Sequence, residues 1–294
     1  MSTLKAKPTV GLALGGGGAR GFAHIGVLRV LTQHGISIDC VAGTSMGAAI
    51  GGAFVCGRDM KQLAETIKGL DLKETLSIPE GLTKTLRRLL GWAASEYLFR
   101  REWRSPPSES QVHTRTMCEL FAQFTGDTRF EDLHIPFTAV ATDIDTGEPV
   151  FIQEGLICCA IEASATIPVI YHPVKLGERY LVDGGGVDLV PIDAAMVMGA
   201  DRIIAVDVGT MSLDEPHSTL EIVVRVDLMA RRQLTHTQEA LARERLGEEH
   251  LVVLRPDVRG IDWTAFDDID DCIMAGEQEA LKHLEEIKQL IQST

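Results

Sequence analysis

A short apolar run, Thr9 to Leu14, passes straight into four consecutive glycines, Gly15 to Gly18, and then into the helical spacing of Ile25, Leu28 and Leu31. Glycine weakens the interior of a strand or a helix by roughly 1 kcal/mol relative to alanine, so such a run marks a loop between two elements. The result is a strand, a tight glycine loop and a helix, with bare backbone amides pointing away from the helix N-terminus. A second junction of the same kind follows. The apolar run Ile36 to Ala42 leads into Gly43-Thr44-Ser45-Met46-Gly47 and then into a run of small residues, Ala48 to Gly57. In this G-x-S-x-G pattern the serine sits on a sharp strand-to-helix turn, lifted clear of its neighbours, with the helix dipole aimed at any oxyanion formed beside it.

Strands and helices alternate along the rest of the chain. Ile135 to Thr142, Ala200 to Val208 and Leu251 to Leu254 read as core strands. Amphipathic helices are expected over Gly57 to Gly69, Val112 to Phe124, Ser218 to Arg245 and Gly276 to Ile291, and a further helix over Cys158 to Pro168. A turn at Asp143 to Glu148 joins Ile135 to Thr142 to Pro149 to Ile152 as a hairpin; its aspartates are read as backbone caps rather than cation ligands. Such alternation predicts an α/β fold with a mostly parallel sheet and helices on both faces. With no repeat, low-complexity tract or clear linker, residues 1–294 are read as a single domain.

Charge and cysteine usage narrow the function. A net charge of −14 gives a polyanion nothing to bind, so no nucleic-acid partner is expected. The six cysteines (Cys40, Cys56, Cys118, Cys158, Cys159, Cys272) contain no C-x-x-C pair and fit a reducing cytoplasm rather than a disulfide framework. Met1 to Pro8 lacks the apolar core of a signal peptide, and no apolar run approaches the ~18 residues of a membrane span. Against the acidic background, residues 84–104 carry six basic side chains and two acidic ones, with Trp92, Tyr97 and Trp103 among them. This segment is read as a cap that makes peripheral contact with a membrane, or else as an ordinary amphipathic helix on the sheet.

Gly16-x-Gly18-x-x-Gly21 also matches a dinucleotide-binding fingerprint, with Asp39 about twenty residues further on as the ribose acid. In that fold the acid closes its strand, whereas Asp39 opens one, so a dinucleotide-binding oxidoreductase is the weaker reading. His24 is read as a core histidine. Arg20 sits inside the glycine loop, where an anion would be met. Late in the chain, Arg179 to Val182 delivers Asp183 into Gly184-Gly185-Gly186.

Taken in order, G-G-G-G-A-R-G, G-T-S-M-G, E-A-S-A-T-I-P and D-G-G resemble the patatin-like phospholipases, in particular the bacterial members related to neuropathy target esterase. The similarity runs from about Val10 to Leu284. It implies a three-layer α/β/α sandwich and hydrolysis of acyl esters of lipids, phospholipid or lysophospholipid, without metal or organic cofactor. It further implies Ser45 as nucleophile, Asp183 as its base, and the amides of Gly16, Gly17 and Gly18 as an oxyanion hole with Arg20 beside them. A Ser-His-Asp triad drawing on His217, His236, His250 or His283, and a non-catalytic lipid-binding protein of the same fold, stand as alternatives.

Overall fold

The computed structural model describes residues 8–70, 72, 110–168, 170–209 and 219–292. The basic segment 84–104 and His217 lie outside the described residues.

Among those residues eight strands form one sheet: β1 (Val10–Leu14), β2 (Cys40–Thr44), β3 (Phe137–Asp143), β4 (Pro149–Ile152), β5 (Val174–Leu176), β6 (Arg179–Asp183), β7 (Arg202–Val206) and β8 (Leu251–Leu254). Their order is β5-β6-β3-β2-β1-β7-β8, with β4 also paired to β3. The five strands from β3 to β8 run parallel, while β4, β5 and β6 add antiparallel pairings at one side. The sheet is thus mostly parallel but mixed. The antiparallel part has a local cause, since the turn at Asp143 folds β4 back as the expected hairpin, and Asp145 N donates to Asp143 Oδ1 at 3.0 Å.

The helices are α1 (Ala23–Gln33), α2 (Met46–Val55), α3 (Met60–Lys68), α4 (Ser110–Thr125), α5 (Ile157–Ala165), α6 (Ile192–Val197), α7 (Thr219–Leu246), α8 (Ile269–Lys282) and α9 (Leu284–Gln292). Successive strand residues face opposite sides of a sheet, and here they divide cleanly between two cores. Leu12, Leu14, Val41, Ile204 and Val206 join the core under α1, α2, α5 and α8, whereas Ala13, Ala42, Ile203 and Ala205 join that under α6. Apolar residues on both faces of every central strand are what a sheet buried between two helical layers requires. The three-layer α/β/α sandwich follows from that alternation.

One boundary differs from expectation. The C-terminal helix begins at Ile269 rather than Gly276 and is interrupted at His283. Asp270 and Asp271 lie in the first turn of α8, where carboxylates favour the positive end of the helix dipole, so the helix starts ahead of the expected Gly276. Among the described residues no helix is long and apolar enough to cross a membrane.

Candidate active site

The parallel register brings the carboxyl ends of β1, β2 and β3 to one edge of the sheet, and the expected site residues gather there. Ser45 joins β2 to α2 with φ 55° and ψ −123°, the one non-glycine positive φ among the described residues. A serine held in that region costs of order 1–3 kcal/mol and persists only where its surroundings enforce it. The surroundings are specific. Ser45 N donates to Ser164 Oγ at 2.9 Å, and Ser164 Oγ in turn donates to Val140 O at 2.5 Å, so α5 ties the elbow to β3. Thr44 Oγ1 donates to Asp188 O at 2.8 Å. A side chain at position 47 is excluded, because a Cβ there would lie 2.1 Å from the Leu14 carbonyl oxygen. The elbow therefore presses against the end of β1.

Asp183 arrives from the other side, at the end of β6. Its backbone is held by Asp183 N donating to Thr166 O at 2.8 Å and by Thr142 Oγ1 donating to Asp183 O at 2.9 Å. Its carboxylate accepts from Gly185 N at 2.8 Å. Desolvation raises the Asp183 pKa above the ordinary carboxylate value, and the nearby Ser45 hydroxyl, the Gly185 amide and the Arg231 guanidinium oppose part of that rise. The two residues, distant in the chain, come to the same edge of the sheet, near enough for the Ser45 hydroxyl to act on the Asp183 carboxyl.

The glycine loop lies against this pair, and the Cβ of Ser45 is 3.2 Å from where a Cβ on Gly16 would stand. Gly16 N is already committed to Leu189 O at 2.9 Å, as Gly15 N is to Val206 O, so these two amides anchor the loop. Gly18 adopts φ 58° and approaches the Trp263 backbone closely. Arg20 does not project freely into the loop: its Nε donates to Ile261 O at 2.7 Å, which braces the loop against residues 261–263. His24 is fully buried, its Nε2 2.7 Å from Gly15 O, and burial holds its pKa down at about 4, so it stays a neutral core residue.

The dinucleotide reading fails on the same geometry. Asp39 Oδ2 accepts from Val10 N at 2.8 Å at the amino edge of the sheet, opposite Ser45. Ala19 N, at the helix start where a pyrophosphate would bind, donates instead to Trp263 O at 2.8 Å. The late histidines are engaged elsewhere: His236 accepts from Arg232, His250 Nδ1 pairs with Leu246 O, and His283 with Glu286.

Ser45 and Met46 line an apolar pocket. Phe22, Leu63, Ile67, Leu120, Phe121 and Phe124 line it, with Tyr171 and Trp263. Among the described residues its lining holds no histidine. Ser164, Arg231 and the Trp263 segment have no separate role in the sequence reading; only Ser164 carried a signal, as part of E-A-S-A-T-I-P.

Comparison with known proteins agrees with the geometry. An uncharacterized NTE family protein of Mycobacterium tuberculosis is 34% identical over 224 residues, covering 74% of this chain and 56% of the relative. Lysophospholipase nte1 of Aspergillus fumigatus is 30% identical over 207 residues, or 70% of this chain and 12% of that protein. The chain thus spans little more than half the length of the mycobacterial relatives and a small part of the fungal ones. Human GIVD cytosolic phospholipase A2 shares the fold, with a TM-score of 0.54 at 12% identity over 97% of this chain and 60% of that structure. A family model for patatin-like phospholipase matches residues 12–196, the stretch that holds the glycine loop, the Ser45 elbow and the Asp183 turn, and the chain belongs to that family.

Proposed function

We propose that the protein is a serine esterase that hydrolyses acyl esters of lipids, phospholipid or lysophospholipid, through a Ser45-Asp183 dyad. The observation that carries this reading is the strained Ser45 turn, close to the desolvated Asp183 carboxyl and opening on an apolar pocket. Serine is a weak nucleophile until a neighbouring base accepts its proton. An ordinary aspartate, with pKa about 3.9, is a poor base, and burial of Asp183 moves it in the needed direction. Proton transfer from Ser45 Oγ to Asp183 concerted with attack on the ester carbonyl avoids a free alkoxide. The acyl group then rests on Ser45, the alcohol leaves with the proton from Asp183, and water deacylates the enzyme by the reverse route.

The oxyanion needs donors. With Gly16 N bonded to Leu189, the amides of Gly17 and Gly18 and the N-terminus of α2 are the groups left for it, each donor contributing about 3–4 kcal/mol. Gly16 and Arg20 then serve to hold the loop in place. The acyl chain occupies the apolar pocket beside Ser45. The substrate class is thereby an ester with a long apolar acyl group, and a lipid phase is its source.

A fluorophosphonate bearing an alkyl chain tests this reading. The expected result is a single adduct that peptide mapping places on Ser45, absent from Ser45→Ala, which keeps its thermal stability because a turn hydroxyl contributes little to packing. An adduct elsewhere, or none on folded protein, contradicts it.

A further inference from the structure

Away from the Ser45 edge, three cysteines from two helices converge. Cys118 on α4 has its Sγ 3.3 Å from that of Cys158 and 3.3 Å from that of Cys159, both on α5. All three sulfurs lie within 4.8 Å of one another. Cys158 is buried, Cys118 half-buried and Cys159 exposed, so the group has a dry inner side and an open outer one.

Two chemistries can use such a cluster. A disulfide draws two sulfurs to about 2.05 Å and leaves the third behind. A metal ion about 2.3 Å from each thiolate spaces the sulfurs at roughly 3.8 Å, inside the 4.8 Å within which all three lie here, and uses all three. The equal distances from Cys118 to both neighbours suit the second.

We propose that Cys118, Cys158 and Cys159 form a three-thiolate site for a thiophilic d10 metal ion, zinc or copper(I). Binding breaks three S–H bonds, forms three metal–sulfur bonds and releases three protons to solvent, with no change of oxidation state. The exposed Cys159 side is the entry path and leaves a position for a further ligand such as water. The ion clamps α4 to α5. Helix α4 supplies Met117, Leu120, Phe121 and Phe124 to the pocket wall, and α5 carries Ser164, the brace of the Ser45 elbow, so the clamp is structural and independent of the esterase reading.

The test uses the full chain, purified under reducing conditions, stripped with a chelator, then offered zinc or copper(I) in separate arms and desalted. Wild type and Cys40→Ser should retain about one equivalent of at least one ion, and Cys118→Ser and Cys159→Ser almost none. The arm that fills distinguishes zinc from copper(I). Filling should raise the melting temperature of wild type and Cys40→Ser and leave those of Cys118→Ser and Cys159→Ser unchanged. A second readout needs no variant: alkylation followed by peptide mapping should modify Cys159 in the stripped protein and spare it in the filled one. Wild type that keeps less than about a tenth of an equivalent of either ion overturns the proposal, as does alkylation of Cys159 that filling leaves unchanged. A disulfide at Cys118 in the reduced, purified protein overturns it too.

Discussion

At the scale of single residues the site depends on where one proton sits. In the proposed dyad Asp183 acts as a base only when ionised, and its burial raises the pH at which it becomes so, while Arg231 counteracts that rise. Activity is accordingly lost as pH falls through the raised pKa. Removing the positive charge of Arg231 removes a stabiliser of the carboxylate, so Arg231→Gln should move the acid limb of the kcat/KM profile to higher pH, with the plateau at alkaline pH largely kept. A limb that stays in place, or moves to lower pH, contradicts the assignment of that limb to Asp183. Arg231 also pairs with Asp227 at 2.6 Å, which shares its charge, so the shift is smaller than that of an isolated contact.

At the scale of elements, the elbow between β2 and α2 is held by α5 through one hydroxyl. Ser164→Ala leaves Ser45 N without its acceptor and Val140 O without its donor, both in buried positions. Two such losses should cost about 1–3 kcal/mol of stability, read by denaturant or thermal unfolding, and lower kcat more than they raise KM. Unchanged stability and kcat would mean that the elbow supports itself. This brace also shows what a sequence can and cannot reveal. The two glycine elbows and the Asp183 turn were legible because each is a local backbone requirement: a run of glycines, or a serine between glycines, admits few conformations. The Ser164 bond, the diversion of Gly16 N to Leu189 O and the meeting of Cys118 with Cys158 and Cys159 join residues far apart in the chain. No local pattern encodes such partners. The α8 boundary was missed for a related reason, since Asp270 and Asp271 favour a turn by composition and a helix start by position.

At the scale of the whole molecule, the proposed lipid esterase, with a net charge of −14 and an apolar pocket, would have to meet a lipid surface that is commonly anionic. The basic and aromatic segment 84–104 is the stretch whose composition suits that task, and arginines near such a surface contribute roughly 1 kcal/mol each. Changing Arg87, Arg88, Arg100 and Arg101 together to Gln should reduce co-sedimentation with anionic vesicles, most at low salt, and spare turnover of a water-soluble ester. If wild type shows no salt-sensitive vesicle binding, or the variant loses soluble-ester activity, the segment belongs to the packed fold instead.

All three scales converge on the Ser45-Asp183 pair, and the most direct test of it is turnover of a short p-nitrophenyl ester by Asp183→Asn beside the His217, His236, His250 and His283 alanine variants. The account predicts a loss of at least ~100-fold for Asp183→Asn and little change for any of the four histidines. An Asp183→Asn enzyme that turns over like wild type, or a histidine variant as impaired as Asp183→Asn, would contradict it.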